Sequence, residues 1–188
     1  MSLRFLPNAL TLLRMLLVGP LAWLLAQARY EPALFTLAVA AVTDGLDGFL
    51  AKRFGWTSEL GKVLDPLADK LLLVTLFITL SIIGLVPVWL AVLVVLRDVV
   101  IASGAIGYRL LLGPIEGHPT KLSKLNTGCQ IVYLLLVVAA AYRQAVPAEI
   151  LALLGIVVAA TTVVSGAEYV VTYAARAAAA SRQRRSLS

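Results

Sequence analysis

The sequence predicts an all-α integral membrane protein with six transmembrane helices. Its 188 residues are 61% hydrophobic and 14% charged, and the mean hydropathy is +0.94, so there are too few polar residues to cover a soluble domain. Apolar runs of about 18 residues or more, each able to cross ~30 Å of hydrocarbon, recur along the chain. They are rich in Leu, Val, Ala and Ile and show little alternation of polar and apolar residues, which favours helices over a barrel.

The first three predicted spans cover the N-terminal half of the chain. They are Asn8 to Gln27, Pro32 to Leu50, and Val63 to Gly84. The first ends in an Ala-Gln-Ala sequence like a signal-peptide cleavage site, but Arg14 and Pro20 interrupt its apolar core and its length favours a retained span. The connection from Ala51 to Lys62 is one of two longer ones in the chain.

The last three predicted spans follow in the C-terminal half. They are Val86 to Leu111, Leu122 to Ala141, and Ala148 to Ala174. The second longer connection, Leu112 to Lys121, precedes the fifth span. We therefore expect one membrane domain over residues 1–175 and a basic cytoplasmic tail over residues 176–188, with no repeat and no soluble domain.

The basic residues predict the orientation in the membrane. With six spans, both termini share one side with the loops after spans two and four, and the opposite loops carry only Arg29 and Arg143. The basic residues of the first side are Arg4, Lys52, Arg53, Lys62, Lys121, Lys124, Arg176, Arg182, Arg184 and Arg185. The positive-inside rule makes that side cytoplasmic. The net charge of +6 then faces anionic lipid, and without an aromatic-interleaved basic domain it does not indicate nucleic-acid binding.

One histidine and one cysteine limit the metal chemistry of the chain. His118 and Cys129 are the only residues of their types, and we expect both to be structural. A disulfide within the chain and a Cys/His metal site are both excluded. A metal ion would have to be held by oxygen ligands.

Four aspartates lie within 26 residues, next to apolar spans where a carboxylate is costly. Asp44 and Asp47 are three residues apart, and Asp65 and Asp69 are four apart, so each pair projects from one face if its segment is helical. Four facing carboxylates without a cation would repel one another, whereas oxygen clusters of this kind bind hard divalent cations. Two such ions can clamp a phosphoryl group. Solvated aspartates at helix ends are the simpler alternative.

Small and basic residues accompany the aspartates. Gly48, Ala51 and Gly61 carry little or no side chain, which leaves room for a ligand or for a neighbouring helix. Positive charge surrounds them, as an anionic substrate would require; the residues are Lys52, Arg53, Lys62 and Lys70.

The spaced residues resemble the signature of the CDP-alcohol phosphatidyltransferases. The signature D-x2-D-G-x2-A-R-x8-G-x3-D-x3-D matches the stretch from Asp44 to Asp69 in every spacing, and one letter departs, since Lys52 replaces its arginine and is followed by Arg53. Lysine keeps the charge but loses the bidentate fork of arginine. The resemblance extends to the whole chain, because the family is built on six transmembrane helices.

The resemblance implies roles for the matching residues. Asp44, Asp47 and Asp65 would hold two Mg²⁺ or Mn²⁺ ions, and Asp69 would be an additional ligand and the general base. The residues expected to contact the CDP group are Gly48, Ala51, Lys52 and Gly61. The implied reaction moves the phosphatidyl group of CDP-diacylglycerol to an alcohol and releases CMP. The resemblance also implies a homodimer and an active site facing the cytoplasm, as in a bacterial inner membrane.

The acceptor alcohol must be inferred from residues outside the signature. Arg97-Asp98 in span four and the stretch from Pro119 to Gln130 resemble the branch of the cardiolipin synthases, whose acceptor is phosphatidylglycerol. Glycerol 3-phosphate is the second candidate. Candidate acceptor or phosphate ligands are Arg14, Arg97, Arg109, Lys121 and Lys124.

Simpler roles stay open for several of these residues. Arg14 could instead pair with an aspartate, Arg97 could be compensated by Asp98, and Lys121 and Lys124 could be interfacial lysines. Glu168 is open in the same way, between a functional role and a buried hydrogen-bonded one. A transporter is the alternative of another class, because intramembrane carboxylates also mark ion pathways. It predicts charges in several spans and an inverted repeat, and the sequence shows no such repeat.

Overall fold

Six helices make up the described part of the chain, in a computed structural model that covers residues 6–54, 59–112, 120–143 and 146–185. Side chains are described for residues 9–43, 46, 64–105, 107, 120–143 and 146–173. The helices are α1 (Leu6–Ala26), α2 (Tyr30–Phe54), α3 (Glu59–Ile82), α4 (Val88–Leu112), α5 (Lys121–Arg143) and α6 (Ala148–Arg185). The described residues contain no strand, so the all-α class is confirmed.

Two helices extend beyond the predicted span ends. The connection expected from Ala51 to Lys62 is shorter, because α2 runs to Phe54 and α3 begins at Glu59. Nothing in Ala-Lys-Arg or in Glu-Leu opposes a helix. The last helix continues 11 residues beyond Ala174, to Arg185, through an alanine-rich segment of high helix propensity. The predicted basic tail is therefore helical over most of its length.

Several helices are suited to a bilayer by length and composition. Four spans in the described residues are long and apolar enough to cross a membrane: Ala9–Ala26, Val88–Ala105, Lys121–Arg143 and Ala148–Tyr173. The described side chains of α2 include the apolar segment Tyr30–Thr43. These helices support an integral membrane protein, and the count of six spans stays a prediction.

Left-handed residues end α1 and α3. Ala28 has φ 54° and Gly84 has φ 79°. The Arg29 N–H donates to the Leu24 carbonyl at 2.9 Å, and the equivalent bond after α3 runs from Leu85 to the Leu80 carbonyl at 2.8 Å. Both are Schellman motifs, which satisfy the last helical carbonyls and turn the chain into the next helix.

The helices form two compact units. The first contains α1, α2 and α3 with Leu134–Leu151, and in it α1 packs against both α2 and α3. Its core includes Leu21 and Leu25 of α1 and Phe77 of α3. Ala40 and Ala68 are fully buried, and alanines at such positions let membrane helices approach closely.

The second unit contains α4 from Trp89, α5 through Tyr133, and α6 from Ala152. Its helices meet at Gly155, where a methyl group would lie 3.6 Å from both Leu90 Cδ2 and the Tyr133 hydroxyl oxygen. Val94 and Val158 are also buried in this unit. A side chain at position 155 would thus fill the space into which α4 and α5 pack.

Candidate active site

A face of α3 carries two of the four aspartates and lies against α1. Asp65 and Asp69 are one turn apart and both are partly exposed. The Thr11 hydroxyl donates to Asp65 Oδ1 at 2.5 Å, and Arg14 Nη1 donates to Asp69 Oδ1. Thr11 and Arg14 are three apart on α1, so one face of α1 supplies a donor to each carboxylate.

Arg14 and Asp69 form an ion pair with unequal exposure. The Arg14 side chain is 1% exposed, whereas that of Asp69 is 45% exposed. The guanidinium is therefore buried in the first unit and holds one carboxylate oxygen, while the carboxylate as a whole still reaches the surface. Such a charge-assisted bond restricts the rotamer of its acceptor. The sequence left Arg14 with two roles, binding a substrate phosphate or pairing with an aspartate. The described contacts include the pairing with an aspartate.

Thr11 is a site residue that sequence reasoning missed. It is fully buried, and its bond to Asp65 crosses from α1 to α3. The available signal was its i, i+3 spacing to Arg14, which places both on one face of a helix. A threonine in an apolar span has an ordinary alternative, because its hydroxyl can bond to the carbonyl one turn before it, as Thr36 does to the Pro32 carbonyl at 2.8 Å.

Replacing Thr11 by valine tests the link between α1 and α3. Thr11→Val keeps the shape and removes the hydroxyl, and we expect about 1 kcal/mol of lost stability because one partly buried hydrogen bond is gone. The unfolding transition in detergent measures this loss. Thr36→Val is the matched control, since its hydroxyl bonds only within α2 in the described contacts. Equal transitions for the two variants would show that the bond from Thr11 contributes nothing.

The remaining signature residues are only partly described. Asp44, Asp47, Gly48, Ala51 and Lys52 lie in α2, and Gly61 lies in α3, but their side chains are outside the described part of the structure. The same holds for Arg109 in α4. The predicted facing of the α2 and α3 carboxylates therefore stays a prediction.

The two described carboxylates have the chemistry of a hard-cation site. Among the side chains that are described, no cluster of three or more His, Cys, Asp or Glu residues occurs, since two of the four aspartates fall outside that set. Asp65 and Asp69 offer carboxylate oxygens, the ligand type that Mg²⁺ and Mn²⁺ prefer. Each is oriented by a donor from α1. The donor set fits a divalent cation of this kind.

Arg97 connects three helices of the second unit. It is 6% exposed, and its Nη1 donates to Asp98 Oδ1 at 2.8 Å. Nη2 donates to the hydroxyls of Ser123 on α5 at 2.8 Å and Ser165 on α6 at 2.5 Å. A methyl group added at Gly166 would lie 3.4 Å from Arg97 Cγ, so the glycine makes room for the arginine stem. Arg97 is thus paired with Asp98, as one of the two alternatives from the sequence predicted.

Polar side chains continue this connection along α5. Thr120 accepts a bond from the Ser123 N–H at 3.1 Å, as an N-cap does, and donates to Glu168 Oε2 at 2.8 Å. Asn126 Oδ1 accepts from the Thr162 hydroxyl at 2.9 Å. Glu168 therefore makes the hydrogen bond that one of its two alternatives predicts, with a side chain that is partly buried. Bonds of this kind hold membrane helices together where no hydrophobic force acts between them.

The two predicted acceptor lysines lie at the start of α5. Lys121 and Lys124 are exposed, and they stand three residues apart in the first turn of the helix. Neither makes an ion pair among the described residues. They differ in this from Arg14 and Arg97, which are buried and bonded to aspartates.

Comparison with known proteins decides the family. The sequence profile of the CDP-alcohol phosphatidyltransferases matches residues 4–164. The chain belongs to this family. The match includes the aspartate signature and five of the six helices in full, so the resemblance inferred from the motif is confirmed. In this chain, Asp65 and Asp69 are thus signature carboxylates, each with a hydrogen-bond donor on α1.

Relatives of this chain carry two kinds of name. A probable CMP-forming cardiolipin synthase of Drosophila melanogaster is 36% identical over 141 residues, which are 66% of this chain and 44% of that protein. The human CMP-forming cardiolipin synthase is 34% identical over 142 residues, which are 67% of this chain and 47% of that protein. A chloroplastic CDP-diacylglycerol–glycerol-3-phosphate 3-phosphatidyltransferase of Oryza sativa subsp. japonica is 35% identical over 156 residues. These are 74% of this chain and 46% of that protein. The chain thus spans about half the length of the curated relatives it matches.

Proposed function

We propose that this protein transfers the phosphatidyl group of CDP-diacylglycerol to an alcohol and releases CMP. The observation that carries the proposal is the pair of signature carboxylates on one face of α3, each bonded to a donor on α1, in a chain whose family is defined by this chemistry. Transport has no comparable support, because the inverted repeat that it predicts is not seen in the sequence.

Asp69 is the proposed general base. The acceptor hydroxyl attacks the phosphorus bonded to diacylglycerol, its proton passes to the Asp69 carboxylate, and the bond from that phosphorus to the CMP oxygen breaks. A base must come within hydrogen-bond reach of the proton it removes. Asp69 is 45% exposed, so it is accessible, and its bond to Arg14 restricts the carboxylate to one orientation. Arg14 is then a positioning residue for the base.

Two divalent ions are proposed to bind at the aspartates. Asp44, Asp47, Asp65 and Asp69 would hold Mg²⁺ or Mn²⁺, which supplies neutralisation of the pyrophosphate when bound. The CDP group would lie against the small residues Gly48, Ala51 and Gly61, with Lys52 near its phosphates. Lys52 offers a single point charge where the signature arginine would bind a phosphate through two nitrogens. We therefore expect Arg53 to contribute more to phosphate binding here than in chains that have the signature arginine.

The proposed arrangement in the membrane follows the distribution of charge. We propose six spans within a single membrane domain over residues 1–175, with both termini, the basic tail 176–188 and the aspartates at the cytoplasmic face of a bacterial inner membrane. A homodimer is proposed from the family alone.

Phosphatidylglycerol is the proposed acceptor, with cardiolipin as the product. The stretch from Thr120 to Thr127 and the Arg97-Asp98 pair are the cues within the chain, and relatives named cardiolipin synthase from fly and human support it. Glycerol 3-phosphate is the second candidate, because the rice relative is named for that acceptor. The predicted acceptor residues Arg14, Arg97, Arg109, Lys121 and Lys124 fit either anion, so charge does not separate the two.

An acceptor panel tests the proposal directly. The purified chain is given CDP-diacylglycerol with Mg²⁺ or Mn²⁺, and phosphatidylglycerol, glycerol 3-phosphate, inositol phosphate or serine in turn. We expect CMP release with phosphatidylglycerol above all, with cardiolipin as the lipid product identified by mass spectrometry. Release only with glycerol 3-phosphate would replace the proposed acceptor by the second candidate. No release with any of the four would contradict the enzymatic function.

A further inference from the structure

A groove between α5 and α6 lies within the second unit, and its described lining includes none of the signature residues. Its volume is about 670 Å³, and its floor and walls include Gly128, Cys129 and Val132 of α5 and Leu154 of α6. Both helices are long and apolar enough to span a membrane. A groove with such walls on membrane-spanning helices accommodates a hydrocarbon chain rather than a polar ligand.

One end of this groove is cationic. Lys121 and Lys124 line it together with the apolar residues, and both lie in the first turn of α5. Val132 is 11 residues further along the same helix, about 16 Å away at 1.5 Å per residue. The groove therefore combines two ammonium groups at one end with an apolar channel about as long as half of the bilayer core.

We propose that this groove binds one anionic phospholipid, with its phosphate between Lys121 and Lys124 and one acyl chain along Gly128 and Val132. Charge complementarity selects the occupant: a zwitterionic lipid presents no net charge to two lysines, whereas an anionic one does. Lysines at a membrane interface extend their ammonium groups toward the headgroups, which suits this contact. In this site Lys121 and Lys124 hold the phosphate of a lipid and not glycerol 3-phosphate, so the site rests on the part of the proposed function that assigns the two lysines to an anionic phosphate.

Gly128 makes the groove testable without disturbing the protein interior. A methyl group built at this position meets no atom within 4 Å, so a larger side chain would project into the groove. Gly19 on α1 is equally open and exposed, and it does not line the groove. Gly128→Leu thus fills the acyl channel, and Gly19→Leu is the same change at an exposed position of α1.

The experiment is photo-cross-linking of the intact chain in phosphatidylcholine vesicles. Phosphatidylglycerol and phosphatidylcholine probes carry the same diazirine in one acyl chain and are added at equal, low mole fraction. After irradiation and pepsin digestion, mass spectrometry quantifies the labelled peptides. We expect peptides from Lys121 to Val132 to be labelled several-fold more by the phosphatidylglycerol probe than by the phosphatidylcholine probe. The double variant Lys121→Gln with Lys124→Gln should remove this preference, because each lysine contributes a factor of about five to the binding of an anionic lipid. Gly128→Leu should reduce labelling of these peptides by both probes.

Matched controls define the results that would overturn the proposal. Arg184→Gln with Arg185→Gln removes the same charge from the basic tail and should leave the preference intact, as should Gly19→Leu. Equal labelling by the two probes would show ordinary bilayer contact. The same would follow if the lysine double variant and the arginine double variant reduced the preference for phosphatidylglycerol to the same extent. Displacement of the lipid probe by glycerol 3-phosphate at matched concentration would show that the lysines bind a soluble phosphate instead. CMP release is measured separately, so loss of the groove site and loss of the proposed activity are distinguishable.

Discussion

Asp69→Asn is expected to lower the rate of CMP release by about 10²- to 10⁴-fold, the range that a positioned general base contributes. The substitution keeps the size of the side chain, and the amide oxygen can still accept a bond from Arg14. The contact between α1 and α3 should therefore survive. What is lost is the capacity to take the proton of the acceptor hydroxyl. We expect binding of CDP-diacylglycerol to persist, weakened, because Asp44, Asp47 and Asp65 are unchanged.

Single-turnover kinetics at saturating substrate separate the two effects, because they measure the chemical step apart from binding. Glu149→Gln is the matched control: it neutralises an exposed carboxylate in the first turn of α6 and should leave the rate unchanged. If Asp69→Asn abolished substrate binding but left turnover measurable at saturation, Asp69 would be a ligand only. Arg14→Lys gives a second readout, since a role in positioning Asp69 predicts a lower kcat with little change in KM.

Arg97→Leu is expected to destabilise the second unit by about 3–5 kcal/mol, the usual cost of removing one partner of a buried ion pair. Arg97 is 6% exposed, and its guanidinium bonds to Asp98, Ser123 and Ser165. Its loss leaves the Asp98 carboxylate in an apolar helix without this cation and removes the donor to both serines. Thermal unfolding in detergent, followed by circular dichroism, measures the effect, with Arg29→Leu at an exposed arginine as the control.

A double variant separates structure from substrate binding. Arg97→Leu combined with Asp98→Leu should recover part of the lost stability, because both charges are then absent. Arg97 could instead bind the acceptor phosphate and contribute little to the fold. The free energy of unfolding of Arg97→Leu would then lie within about 0.5 kcal/mol of that of the parent, as it does for surface substitutions. The KM for the acceptor would rise. That outcome would contradict the structural role.

The helices were predictable because their signal is local. Apolar composition and length locate a membrane-spanning helix without tertiary information, and the predicted starts and ends fall within four residues of the observed ones except at the end of α6. There the prediction followed hydropathy, which stops near Ala174. The helix itself continues to Arg185, through alanines of high helix propensity.

The partners of buried charges were not predictable from spacing. Arg14 had a substrate phosphate and an aspartate as open alternatives, and Arg97 had a phosphate and Asp98. Sequence distance carries no information about which helix faces which, and the bond from Arg14 to Asp69 joins positions 55 residues apart. Thr11 was missed for the same reason, since a hydroxyl in an apolar span bonds equally well to its own helix.

By itself the sequence determined the class and the family, and it indicated the proposed chemistry. Hydropathy required a helical membrane protein, and the spacing from Asp44 to Asp69 placed carboxylates in a pattern that belongs to one family. The tertiary structure alone decided which side chains meet. It set the donors from α1 against Asp65 and Asp69, joined α4, α5 and α6 through Arg97, and left Lys121 and Lys124 at the end of an apolar groove. The physical reason is that covalent spacing orders residues along a helix, whereas packing in an apolar medium decides where a costly charge finds its partner.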